Sequence, residues 1–199
     1  LMRSKSEFIT IAAHQLRTPL TAVNWIFEGF AKSEALPKDD LELAKNGLTA
    51  TRKLLKIVND LLDVSKIEEG RFGYNFEQTN LVGFISELLK NAQAEAKEYG
   101  IKLYFDKGAQ QQLMVTIDPN RLGLAVSNLL DNAIRYNVEN GSVTIAIKPL
   151  SDKPYVEVSI ADTGIGIPPE NMEKVFTKFF RAENVLKRET EGSGLGLFI

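Results

Sequence analysis

Apolar residues at Phe8, Ile11, Ala12, Leu16, Leu20, Val23 and Phe27 recur mainly at spacings of three and four. That periodicity predicts a helix over residues 6–31 with these side chains along one face. The stretch KSEALPKDD, residues 32–40, is polar, contains a proline and reads as a connection. A second helix follows over 41–69. In it Leu41, Ala44, Leu48, Thr51, Leu55, Val58, Leu62 and Ser65 alternate spacings of three and four without a break, as in a coiled-coil seam. Leu54, Ile57, Leu61 and Ile67 form a second apolar stripe beside it. One hairpin buries one stripe per helix, so the wide apolar face predicts a second hairpin and a dimeric four-helix bundle. Gly70 ends the helix in a capping position.

The pattern changes after residue 70. A short strand is expected at 73–79, a helix at 81–99 ended by Gly100, and strands at IKLYF and LMVTI. Asp118-Pro119 reads as a cap followed by proline at the first helical position of a helix running to about Asn137. SVTIAIK and YVEVSIA alternate as half-buried strands do. The fold class is therefore α+β: a helical hairpin over 1–70, then a domain over 71–199 with antiparallel strands packed on helices.

Composition narrows the function. The 199 residues are 44% hydrophobic and 25% charged with a net charge of −2, which favours neither nucleic acid nor an anionic membrane as partner. No cysteine is present, so disulfides and thiolate chemistry are excluded, and a single histidine makes a structural zinc site untenable. No apolar run approaches a membrane span and no signal peptide is evident. The start LMRSKSEF and the end GSGLGLFI both read as cuts through a longer protein.

Three stretches carry candidate chemistry. In the helix 119–137, Asn128, Asn132 and Arg135 lie at i, i+4 and i+7 and share a face, with Leu122, Val126, Leu129, Leu130 and Ala133 opposite. They form either a solvated polar stripe or carboxamide ligands for a hard cation, with Arg135 available to a phosphate. Asp162 has the parity of Val156, Val158 and Ile160, which points its carboxylate inward toward a donor such as a purine amine. The alternative is an Asp that caps the following turn, in which Gly164 and Gly166 permit tight geometry. Residues 163–191 form a long irregular segment, with a short helix near 170–176 and cations at Lys178, Arg181, Lys187 and Arg188. It is either a lid over phosphates or a solvated basic loop, and it closes on GSGLGL, residues 192–197, at an expected helix start.

Together these stretches resemble the catalytic core of the sensor histidine kinases of two-component systems. FITIAAHQLRTPLTA is similar to the family's phosphoacceptor box, NLLDNAIRYN to its asparagine box and DTGIGIP to its first glycine box. VFTKFFRAE is similar to its phenylalanine box and GSGLGLFI to its second glycine box. The resemblance implies an ATP-binding α/β sandwich of the histidine kinase, gyrase and chaperone type after the hairpin. It implies His14 as phosphoacceptor and Thr18 as a residue that positions water for dephosphorylating the partner; Pro19, which lacks a backbone N–H, is expected to bend the helix just below His14 and expose the imidazole. Asn128 and Asn132 would hold Mg2+ and phosphate oxygens, and Arg135 would meet phosphate. Tyr136 would line the adenine pocket, Asp162 would accept from the adenine amine, and Gly164 and Gly166 would shape that pocket. Arg181 would reach the γ-phosphate, and Gly192, Gly194, Leu195 and Gly196 would let the lid approach the triphosphate. Phe176 and Phe179 are expected to anchor the lid in the core. The implied partners are a second copy of the chain and a response regulator's receiver domain. The implied location is the cytoplasm, with membrane anchoring only through regions outside this chain.

Two departures stand out. Gln15 occupies the position after the histidine where the family commonly has an acidic residue; an amide orients an imidazole but takes no proton from it. The family's last helix and strands lie beyond the end of this chain. Gln15 leaves open a weakly catalytic dimeric scaffold or phosphatase as the alternative. A chaperone- or gyrase-type ATPase is the other rival, one with no use for His14 or the hairpin.

Overall fold

The computed structural model describes residues 2–33, 35–109, 111–182, 185 and 192–199, with side chains from residue 9 onward. The chain divides into two compact units that meet in sequence at Gly73.

The first unit is a helical hairpin of α1, Met2–Ala31, and α2, Lys38–Glu68. Its inner face holds Ala13, 2% exposed, against Val58 and Leu62, with Leu20 packed alongside. The Thr10 and Ser65 hydroxyls share a hydrogen bond of 2.7 Å, and Arg17 donates to Asn59 Oδ1 at 2.6 Å, so the helices run antiparallel in fixed register. Gly47 is a glycine because a Cβ there would run into the Phe27 ring. The expected seam of α2 is the buried one, Ala44, Thr51, Val58, Leu62 and Ser65 among it. The inner face of α1 differs from the expected one: Ile11, Leu16 and Val23 are exposed, and the heptad of Ala13, Leu20 and Phe27 turns inward. Two apolar stripes run along α1, and the smaller side chain at residue 13 permits the closer helix approach. Pro19 lies inside an unbroken helix. At its end α2 closes on Gly70, φ +67°, with Gly70 N–H donating to Ile67 O and Arg71 N–H to Lys66 O.

The second unit contains β1 (Glu77–Asn80), α3 (Leu81–Glu98), β2 (Lys102–Asp106), β3 (Met114–Ile117), α4 (Pro119–Arg135), β4 (Ser142–Pro149) and β5 (Val156–Asp162). β1 and β3 pair antiparallel; β2, β4 and β5 form a second sheet in that order. The β2–β4 pairing is parallel, which corrects the expectation of antiparallel strands throughout. The physical reason is that β3 and α4 intervene, and a helix in the crossover returns the chain to start its next strand in the same direction. The core lies between helices and sheet: Ile85 and Leu89 of α3, Val126, Leu130 and Ile134 of α4, and Val143, Ile145 and Ile147 of β4.

Asp118 starts α4. Its Oδ1 accepts from the Asn120 and Arg121 amides at 3.0 Å each, and its Oδ2 from the Asn75 amide at 2.6 Å. The Asn75 and Arg121 amides hold this carboxyl below the usual carboxylate range. Its stabilising effect is therefore complete above an unfolded-state pKa of about 4 and is lost as pH falls through the lower folded value. Asp118→Asn is expected to melt several degrees below the parent near neutral pH, with the gap closing in strong acid; circular dichroism melts at both pH values check this.

Candidate functional site

The polar face of α4 lies opposite the core, and three segments of the second unit gather on it. Asn128 is buried and its Nδ2 donates to the Gly196 carbonyl at 3.0 Å. Asn132 is half-buried one turn on. Tyr136 caps the helix, and its carbonyl accepts from the Ile165 amide at 3.0 Å. A Cβ at Gly192 would sit 3.5 Å from Arg181 Cζ and 3.6 Å from the Tyr136 hydroxyl, so residue 192 lies beside both side chains.

Gly164 shows how tightly the β5 turn meets α4. A Cβ there would lie 2.6 Å from the Tyr136 carbonyl oxygen and 2.7 Å from Asp162 Oδ1. Only a residue without one lets this turn close. Gly194, φ +67°, crosses Phe179 in the same way, and its carbonyl accepts from the Phe179 amide at 2.9 Å. Phe179 itself has φ +62°, a backbone conformation seldom adopted by bulky residues and held here by that crossing.

Several expected placements are corrected. Asp162 is exposed, and its Oδ1 accepts from the Gly164 amide at 2.8 Å. Strand parity held, but β5 ends there, so the carboxylate caps the turn at the rim instead of entering the core. Leu129 is 42% exposed; Ile134 takes its place in the core. Phe176 and Phe179 are 67% and 63% exposed and do not anchor the segment. That anchor is Leu195, at 0% exposure, so its side chain packs in the interior. The expected helix at 170–176 is a 3-10 turn at Pro169–Asn171 followed by successive i→i+3 turns, in keeping with its paired prolines. Lys178 Nζ stands 5.2 Å from the centre of the Phe198 ring. Gly166, φ +66°, is exposed in the β5 turn. Lys187 and Arg188 lie outside the described residues.

Arg135 is held in an ion pair. Its Nη2 lies 2.8 Å, and its Nε 2.9 Å, from Glu95 Oε1 on α3. Burial works against the guanidinium charge, but the Glu95 carboxylate and its hydrogen bond outweigh it and raise the Arg135 pKa. Sequence reasoning missed Glu95, because nothing in the α3 pattern separates it from the other charges on that helix. It also assigned nothing to Asn137 and Thr163, which bridge α4, β4 and the turn after β5.

On α1, Ala13 faces inward, which turns His14, Gln15 and Thr18 out into solvent. Among the described residues no group of three or more His, Cys, Asp or Glu is placed to hold a metal ion, and no helix is long and apolar enough to cross a membrane. The asparagine carboxamides supply hard oxygen donors suited to Mg2+. With Asn128 Nδ2 given to Gly196, its Oδ1 keeps the acceptor capacity.

Residues 4–70 match the His Kinase A (phospho-acceptor) domain family, and residues 117–199 match the histidine kinase-, DNA gyrase B- and HSP90-like ATPase family. The chain is 31% identical to the sensor histidine kinase WalK of Bacillus subtilis, over 99% of this chain and 32% of that protein. It is 32% identical to the non-motile and phage-resistance protein of Caulobacter vibrioides, over 98% of this chain and 24% of that protein. It thus spans a third or less of the length of these relatives. In fold it is similar to full-length ShkA in complex with AMPPNP, with a TM-score of 0.73 at 23% identity over 96% of this chain and 39% of that one. Histidine kinase ThkA in complex with response regulator protein TrrA gives a TM-score of 0.55 at 28% identity over 88% of this chain and 50% of that one.

Removing the charge of Glu95 takes the hydrogen-bonded carboxylate from a guanidinium whose side chain is 27% exposed, leaving the more weakly acting Asp131. Glu95→Gln is expected to lower the free energy of unfolding by about 1–2 kcal/mol, measurable by urea titration. The deficit should shrink in high salt, which weakens the pair in the parent.

Proposed function

The chain belongs to the sensor histidine kinases, and we propose that this core transfers the γ-phosphoryl group of ATP to His14 and then to an aspartate of a response regulator's receiver domain. The observation that carries the reading is the pairing, in one chain, of an exposed imidazole with a glycine-lined polar cradle. An imidazole nitrogen attacks the γ-phosphorus, the bond to the β,γ-bridging oxygen breaks, ADP leaves, and the ring loses a proton.

In this reading Asp162 accepts from the adenine amine with the oxygen that Gly164 does not use. Tyr136, Gly164 and Gly166 bound the base. Arg181, beside Gly192 and Tyr136, meets the triphosphate with Gly194 and Gly196. Asn128 and Asn132 would hold Mg2+ through their carboxamide oxygens, and the bound ion would supply charge neutralisation. Arg135 reaches a phosphate by exchanging Glu95 for it. Gln15 orients the imidazole, and the proton goes to water. Thr18, one turn from His14, positions water for dephosphorylating the regulator. Leu195 supports the lid from the core.

The partners follow from exposed apolar surface. Leu16, Val23 and Phe30 on α1, with Leu54 and Ile57 on α2, form exposed stripes that fit a second hairpin in a homodimer. Ile11 and Trp25 flank His14 and Thr18 on another face of α1 and fit a receiver domain. The core acts in the cytoplasm.

Incubation with Mg·ATP labelled at the γ-phosphate is expected to give an acid-labile, base-stable label that is absent in His14→Gln. Label surviving in that variant, or no label on the parent, overturns the reading. Gln15→Glu supplies a proton acceptor and is expected to raise the labelling rate about tenfold or more; equal initial rates would show that the acceptor is immaterial. Thr18→Ala is expected to slow loss of phosphate from the regulator while leaving the label on His14 unchanged.

A further inference from the structure

We propose that Asn137 and Thr163 form a positioning clasp that sets the selectivity of the site for adenine. The inference rests on the reading of Asp162 as acceptor of the adenine amine.

Asn137 is 3% exposed and every hydrogen-bonding position of its amide is used. Its Nδ2 donates to the Ala133 carbonyl at 2.8 Å, on the last turn of α4, and to the Ser142 carbonyl at 3.1 Å, at the start of β4. Its Oδ1 accepts from the Val138 amide at 2.9 Å and from Thr163 Oγ1 at 2.8 Å. Thr163 Oγ1 in turn accepts from the Ser142 amide at 2.9 Å, and the Thr163 amide donates to the Ser142 carbonyl at 3.2 Å. The glycine at 141 makes room for the pair. A Cβ there would overlap Asn137 Oδ1 and lie 2.6 Å from Thr163 Oγ1.

The clasp occupies a specific place in sequence and space. Asn137 directly follows Tyr136, and Thr163 directly follows Asp162. Tyr136 and Asp162 are the two side chains assigned to the base. The hydrogen bond between their neighbours joins the end of α4 to the end of β5. The Ile165–Tyr136 bond and the Gly164–Asp162 bond close the turn on the other side. A buried amide with every valence filled cannot rotate without breaking a bond, so it holds this spacing rigidly. Neither residue touches the base; both act through the residues beside them.

Such a role predicts loss of discrimination more than loss of fold. The probes are ATP and purine riboside triphosphate, which lacks the 6-amino group, each titrated calorimetrically with Mg2+ into the 199-residue chain. The parent is expected to prefer ATP by about tenfold or more, because a site that hydrogen-bonds an amine rejects an analogue lacking it. Thr163→Val removes the clasp's donor at nearly constant volume and is expected to bring the preference within about threefold. Thr163→Ser, which keeps the hydroxyl, restores it. Amide exchange in Thr163→Val should quicken at Gly164 and Ile165 and stay unchanged at Val143 and Ile145. A parent that binds neither nucleotide, or both equally, overturns the purine reading and the clasp with it. A parent that discriminates beside a Thr163→Val that discriminates equally overturns the clasp alone. Faster exchange throughout β4, or a Thr163→Val that fails to fold, makes the pair a stability element and overturns its positioning role.

Discussion

The site depends on how α4 is seated. Val126, Leu130, Ala133 and Ile134 bury one face of the helix in the core shared with β4. A helix sunk along one face cannot rotate about its axis, so Asn128, Asn132 and Tyr136 are fixed on the other side. Both ends are held as well, by the Asp118 carboxylate at the start and by the Tyr136 carbonyl and Asn137 amide at the finish. The apolar burial supplies the energy, and the terminal polar contacts set the rotation and the height.

Much of the remaining site is backbone. The turn after β5 approaches the end of α4 closely enough that a Cβ at Gly164 would collide with the Tyr136 main chain, and a Cβ at Gly194 would collide with the main chain of Phe179. Glycines here are required by contact distance, and their amides and carbonyls carry the local hydrogen bonds. Among the described residues, Arg135 is matched to Glu95, and Lys178 stands over the Phe198 ring.

The helical and strand periods made the two units, the helices and most strands legible, because burial on one face enforces them. The seam of α2 was readable, since its heptad was unbroken. The inner face of α1 was not, because two apolar stripes compete there and packing against α2 chose the one with Ala13. The parallel pairing of β2 with β4 is set by what the crossover contains, which strand alternation does not encode. Asp162 obeyed its parity yet lies exposed, because parity says which side a residue faces and not whether the sheet continues beyond it. Phe176 and Phe179 were expected to anchor the lid in the core; both lie exposed, and Phe179 takes a positive φ where it crosses Gly194. Asn137, Thr163 and Glu95 were invisible for one reason. Each acts through a partner more than twenty residues away, and no local pattern marks such a residue.

The Asp118 carboxylate has a mechanical consequence. α2 is closed by the bond from the Arg71 amide to the Lys66 carbonyl, and the chain is fastened again where the Asn75 amide meets Asp118. Only Phe72, Gly73 and Tyr74 lie between those two points, and Gly73 already has a positive φ of 39°. The second anchor is the first turn of α4, so one carboxylate ties the chain at residue 75 to the start of the helix that carries Asn128 and Asn132.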